Sequence, residues 1–384
     1  MIEELIIDAE LHKITKDPER DLYLHHNRHL IIEAYAEFVR TIDAIYDLLH
    51  PSYSTVVKPD IYVEERSDIN AFACICNKIV IYTGLITEIS NCVNKRYSVE
   101  QINKYNLLKG LNPDEIQKWI LVYTWRFIVL HELYHIWHGH LEWISTYCYD
   151  GTGNLIRKNI PTHLIQEASV LADSDEADVE TIENNIADQS IEMDADLSAC
   201  CMIINMLVQN MSQQYSAEEV SNQLLYMKYH TTFLLCGMYT TFSVFDENSG
   251  AQFWKLSKLD HSDHPIPALR IIYIEDAINS MLFQWFKNVS SVSVIEEEWN
   301  KVAVDLEADN GTNEDWQNNF SFPAYSKAGM QHIGKLKRRF NEMYDSLKLL
   351  SKANMLSKFT DEDISSLEEF VYFTENGESL RGWS

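Results

Sequence analysis

The segment His131-Glu132-Leu133-Tyr134-His135 decides how this chain is read. On a helix, residues four apart lie on one face and one turn apart, so the two imidazoles can point at a single ion. The helix is signalled well upstream. Asn112, Pro113, Asp114 and Glu115 supply a capping side chain, a proline at the first helical position and a glutamate three residues on. From there Trp119, Leu121, Val122, Trp125, Phe127, Ile128 and Leu130 lead into His131–His138. Apolar residues surround this helix on nearly all sides, which predicts a central, buried element.

Zinc favours four ligands, and a catalytic zinc site takes three from the protein and leaves the fourth position open. His131 and His135 supply two. Glu132 lies beside the ion without binding it, where it can take a proton from the attacking water and deliver it to a leaving amine. An HExxH arises by chance in a chain this long roughly once in a hundred, so its context matters. Downstream, Glu192, Met193, Asp194, Ala195 and Asp196 form an ExxxD on a second expected helix. Glu192 is the expected third ligand. Asp196, on the same face, can accept the far N–H of a ligating histidine. Asp194 is the competing ligand, about 200° around the helix from Glu192. A third piece is His264, Pro265, Ile266, Pro267, Ala268, Leu269 and Arg270. A histidine on a proline-stiffened turn can donate to an oxyanion, and Arg270 can hold Glu192 or the turn in place. His138 and His140 sit just past the HExxH and are expected to support the ligands or face solvent.

Composition narrows the partners. Hydrophobic residues make up 46% of the 384, enough for a buried core. The formal net charge of −27 repels phosphate backbones and anionic lipid, which excludes nucleic acid as a partner. The seven cysteines are odd in number and give no framework of pairs, so reduced thiols are expected. The N-terminal segment lacks the pattern of a secretory signal. The longest apolar run, Thr231–Phe245, is short of the roughly 20 residues that a bilayer needs. A cytoplasmic chain with no membrane span is therefore expected.

Three regions are expected along the chain. Residues 1–64 read as an N-terminal helical region, with Leu30, Ile31, Tyr35, Phe38, Val39, Ile42, Ile45 and Leu48 at helical spacing. Residues 65–275 form the core. It holds a strand at Lys78–Tyr82, and helices at about 190–210 and 218–246. An insertion interrupts it at about 150–190. Its acidic part, residues 166–189, contains no Lys or Arg and reads as a solvated connector, or more sharply as a lid. Residues 276–384 form a C-terminal helical accessory region, open to a regulatory protein partner. Its basic run Lys335–Arg339 reads as a solvated helix face.

Taken in order, Asn70–Ala73, Ile79–Ile86, His131–His135 with Gly139 and His140, Glu192–Asp196, and His264 with Arg270 resemble the HtpX-like and CAAX-processing metallopeptidases, of the gluzincin type. The resemblance spans roughly residues 65–275. It implies a zincin-like core, in an α+β and mainly helical chain with a small sheet. It implies one Zn2+ per chain held by His131, His135 and Glu192, with Glu132 as general base. Asp196 is implied as the partner behind a ligand, and His264 and Arg270 as the oxyanion-side pair. Ile79, Val80, Ile81 and Tyr82 are implied as an edge strand that pairs with extended substrate. Those families are usually membrane-embedded, so a soluble relative is expected here; the phage-exclusion peptidases of bacteria are an analogue. The expected function is a soluble zinc endopeptidase, latent or conditionally activated against a specific protein. The alternative is a zinc-containing binding or sensor protein that does not cut.

Overall fold

The computed structural model describes residues 18–48, 56–103, 108, 110–158, 178–248, 259–287, 289–309, 326–353 and 355–365. The described part is mainly helical with a small sheet. The chain begins with helix α1 (Pro18–Leu48), then strands β1 (Asp60–Glu64), β2 (Ala71–Cys74) and β3 (Lys78–Tyr82). Next come α2 (Thr83–Arg96), the short α3 (Val99–Ile102), α4 (Pro113–Trp137) and α5 (His140–Thr146). A small hairpin of β4 (Tyr147–Tyr149) and β5 (Leu155–Arg157) follows. The remainder is helical: α6 (Val179–Gln214), α7 (Val220–Asn248), α8 (Pro267–Phe286), α9 (Val289–Asp309), α10 (Lys327–Leu350) and α11 (Asp361–Ser365).

The expected cap of the HExxH helix is present. The Asn112 side chain accepts from the Asp114 N–H at 3.1 Å, and Pro113 occupies the first turn where its missing N–H costs nothing. The last turns of α4, from Phe127 to Trp137, are buried throughout. Gly237 of α7 lies against α4, where a Cβ would come within 2.6 Å of the Thr124 Oγ1. The missing side chain lets α7 approach Thr124 and the Ile120 carbonyl of α4 closely.

The strand order is β1-β3-β2. β3 pairs in parallel with β1, from Asp60↔Lys78 to Glu64↔Tyr82, and antiparallel with β2, from Ala71↔Ile81 to Cys74↔Lys78. It is the middle strand, and its main-chain groups face strands on both sides. The expectation that Ile79, Val80, Ile81 and Tyr82 form an edge strand for substrate is therefore corrected. Among the described residues the edges of this sheet are β1 and β2. The β2–β3 turn works without glycine because Asn77 takes the left-handed conformation (φ 62°), which asparagine tolerates better than most residues.

Helices of the N-terminal and C-terminal regions contribute to the same core. One cluster of buried apolar side chains runs from Ile31 of α1 through α4, α6, α7 and α8 to Phe340 of α10 and Leu356. Each fully buried large side chain contributes roughly 1.5–3 kcal/mol. Helix α10 docks firmly. At its C-terminal end the Ser351 hydroxyl and the Lys352 N–H donate to the Trp137 carbonyl, at 3.1 and 2.8 Å. These donors cap the end of the HExxH helix. Gly139, at φ 75°, sits where a Cβ would meet the Leu350 backbone at 2.6 Å.

The basic run is solvated only in part, at Lys335 and Arg338. Lys337 is buried and donates to the Asp363 carbonyl, and Arg339 pairs with Glu183 and stacks over Tyr149. The acidic stretch also differs from its expected form. Residues 179–189 are the first turns of α6, capped by Asp178, whose side chain accepts from the Thr181 N–H at 2.8 Å. Ile186, Ala187 and Gln189 are buried there. Residues 166–177, half of the expected lid, lie outside the described residues.

Candidate metal centre

Helices α4 and α6 bring His131, His135 and Glu192 together. The two Nε2 atoms are 2.9 Å apart, His131 Nε2 is 3.2 Å from Glu192 Oε2, and His135 Nε2 is 3.3 Å from Glu192 Oε1. Ligands at the usual zinc distances on a tetrahedron lie roughly 3.3 Å from one another. The three donors thus fit one ion, and all are at most 2% exposed. Three electron-pair donors crowded in a dry interior repel each other unless a cation or shared protons lie between them.

Asp196, one turn beyond Glu192, stands 2.9 Å from His131 Nδ1. A carboxylate there keeps the proton on Nδ1 and presents the Nε2 lone pair to the ion. Asp196 is itself held on three sides. It accepts from Arg270 Nε at 2.8 Å and Nη2 at 2.7 Å, a two-pronged pair, and from the Tyr273 hydroxyl. Burial would raise its pKa, but Arg270 and His131 outweigh it and hold the carboxyl below its ordinary value. Arg270 also comes within 3.9 Å of Glu192. Its main partner is Asp196, so it acts on the three-donor cluster through His131 more than through Glu192. Tyr273 was not singled out in the sequence, although it lies three residues after Arg270 and hence on the same helix face.

Glu132 is buried beside His131. Its helix packs on β2, where burial, Cys76 and the Glu132 charge together push the Cys74 thiol up to about 11.

His264 enters from the loop before α8. Its Nε2 is 3.8 Å from Glu192 Oε1, and its Nδ1 is 3.0 Å from Asp263. The loop is anchored by α6. Gln189 Nε2 donates to the carbonyls of Leu259 at 2.8 Å and Ser262 at 2.6 Å, and Asn185 donates to that of Asp260 at 3.0 Å. Gln189 Oε1 meets His332 Nε2 of α10 at 2.7 Å. The C-terminal helix therefore braces the loop that carries His264. None of Asn185, Gln189 and His332 is conspicuous in the sequence, because each acts only across long chain separations. Asp188, one turn before Glu192, is another residue the sequence did not mark. Burial lifts its carboxyl to about 7 against the pull of Lys158.

Next to the first cluster lies a second, made of His138, His140 and Asp194. His138 Nδ1 is 2.5 Å and His140 Nε2 is 3.1 Å from the same oxygen, Asp194 Oδ2. His138 and His140 are buried to within 1% of complete, so neither faces solvent. Asp194 turns to this pair and away from the first cluster, which leaves Glu192 as the carboxylate there.

Comparison with protein-family models, curated proteins and solved structures finds no match. Among the described residues no helix is long and apolar enough to cross a membrane.

Proposed function

We propose that this protein is a zinc-dependent endopeptidase of the gluzincin kind. The supporting observation is the set of three buried donors, His131, His135 and Glu192, 2.9 to 3.3 Å apart, with Glu132 next in sequence to the first. Two histidines and one glutamate suit zinc among the common metals. When bound, zinc supplies a Lewis acid that polarises a peptide carbonyl and makes water a competent nucleophile.

The chain's own residues do the rest. Glu132 accepts the proton of the attacking water and passes it to the leaving amine. His264 donates toward the developing oxyanion. Asp196, locked by Arg270 and Tyr273, fixes the orientation of His131. Substrate alignment falls to β2. No further strand pairs with its outer edge among the described residues, and β2 packs against the helix that carries Glu132. His131, Glu132, His135 and Glu192 are each at most 2% exposed, so a peptide reaches them only after the site opens. This favours a latent, conditionally activated enzyme.

The same burial favours a second reading, a zinc-binding protein that does not cut. One experiment separates the two: metal content and cleavage of a general unfolded protein, with wild type beside Glu132→Gln. The expected result is one equivalent of zinc in both, and a rate lower by roughly 10²–10⁴ in the variant. Zinc in both without cutting in either supports the second reading. No zinc in either overturns both.

A further inference from the structure

Two nitrogens join the clusters: His140 Nδ1 and His135 Nδ1 are 3.1 Å apart, both inside the protein. One of them must donate and the other accept, since two lone pairs or two N–H groups at that distance repel. The rest of the geometry sets the direction. If His135 binds a metal through Nε2, its single proton is on Nδ1, so His135 donates. His140 then accepts on Nδ1 and carries its own proton on Nε2. That nitrogen is the one facing Asp194 Oδ2, at 3.1 Å.

We propose that His140 and Asp194 are positioning residues for His135: the Asp194 carboxylate fixes the His140 proton on Nε2, and His140 Nδ1 then holds the Nδ1–H of His135, aiming its Nε2 at the metal. The inference rests on the metal-binding reading of the first cluster. It gives His135 a counterpart to what Asp196 gives His131, with one imidazole inserted because Asp194 is too far around α6 to reach His135 directly. His138 completes the unit by filling the same oxygen of Asp194 at 2.5 Å.

The arrangement also argues against a second ion at His138, His140 and Asp194. A metal on His140 Nε2 would force its proton onto Nδ1, against the Nδ1–H of His135. The spacing points the same way. The 2.5 Å between His138 and Asp194 suits a charge-assisted hydrogen bond and is well short of the roughly 3.3 Å between ligands of one tetrahedral zinc.

The test is zinc affinity of the full chain, measured by competition with a chromophoric chelator, with thermal melting as a check on folding. The variants are His140→Leu, His140→Asn and Asp194→Asn. An asparagine at 140 keeps an acceptor near the Nδ1 position; leucine, of similar size, does not. The expected result is one equivalent of zinc in wild type and a 10- to 100-fold weaker dissociation constant in His140→Leu, the range typical of partners behind metal ligands. Asp194→Asn weakens binding by a smaller factor, and His140→Asn recovers most of the affinity. Equal weakening in both His140 variants overturns the proposal, since it follows lost packing and not the lost acceptor. Unchanged affinity in His140→Leu overturns it while leaving the metal site standing. A second equivalent of zinc in wild type that disappears in His140→Leu replaces it with a two-metal site. Absence of zinc from wild type removes the metal reading and this inference together. Should His140→Leu fail to melt cooperatively, the ordering of wild type, His140→Asn and Asp194→Asn decides: no weakening in Asp194→Asn overturns the relay.

Discussion

The two clusters on α4, α5 and α6 have the same composition, two histidines and one carboxylate, and the same deep burial, yet their spacing differs. In the first, three donor atoms share the corners of a site at 2.9, 3.2 and 3.3 Å, as ligands around an ion do. In the second, both imidazoles converge on one oxygen, at 2.5 and 3.1 Å, as hydrogen-bond donors do. Burying a carboxylate costs several kcal/mol unless it is paired. On the proposed reading a cation would pair Glu192 in the first cluster, whereas protons pair Asp194 in the second. Burial alone would raise the Asp194 pKa, and His138 and His140 overcome it, holding the carboxyl well below its usual range. Composition therefore does not distinguish a metal centre from a structural ion pair. Donor spacing does.

The largest effect expected from this contrast is on metal binding. His135→Ala should lose stoichiometric zinc, weakening binding beyond the roughly 100-fold that partners behind the ligands produce. His138→Ala should keep one equivalent. Elemental analysis after gel filtration reads both, and zinc lost equally from the two would erase the distinction between the clusters.

Chelation comes next. An ion held only by the native state stabilises it by mass action, so stripping zinc should lower the melting temperature by on the order of 10 °C. His135→Ala should melt at the same temperature with and without chelator. A chelator-independent wild type would mean that the first cluster is held by shared protons, like the second.

A smaller effect should follow from opening the second cluster. His138→Leu removes one donor from the buried Asp194 and should cost roughly 2 kcal/mol, read as a shift in urea midpoint. No shift would mean that the Asp194 charge is satisfied by His140 alone.

The smallest effect lies outside both clusters and serves as their control. Burial and the nearby Glu296 raise Glu275 to about 8, although the Trp299 indole N–H donates to it. The folded pKa exceeds the unfolded one, so this group's contribution is complete below about pH 4.5 and is lost as pH rises through 8. Glu275→Gln keeps the acceptor for Trp299 and should flatten the decline between pH 5 and 8 by a few degrees in melting temperature. An unaltered profile would assign the pH dependence to groups elsewhere.

What was legible in the sequence was local. The i, i+4 pairs His131/His135 and Glu192/Asp196, the Asn112 cap and the Lys78–Tyr82 strand each depend on residues within a few positions of one another. Helical phase even separated Glu192 from Asp194. What phase could not supply was the partner for Asp194's face. His138 and His140 are 56 and 54 residues away, and His140 follows the left-handed turn at Gly139, where the helical repeat is broken. A phase argument cannot be carried across that turn to His140, which is why support of the ligands and exposure to solvent both stayed open for it. The sheet shows the same limit. Alternation and β-branching mark Lys78–Tyr82 as a strand, but whether a strand is central or at an edge depends on what pairs with it, here β1 and β2 together.

The sequence by itself therefore determined the two helices, the donor set within each and the mainly helical class, because one turn of helix fixes relative directions without help from the rest of the chain. Only the tertiary structure decided which carboxylate met which imidazoles, and that β3 lies in the middle of the sheet. It also decided that α10 is part of the core, capping α4 at Trp137 and bracing the His264 loop through His332 and Gln189. Those outcomes depend on the rotation and approach of whole elements, set by packing one shared core to crystal-like density, and no short window of residues contains that information.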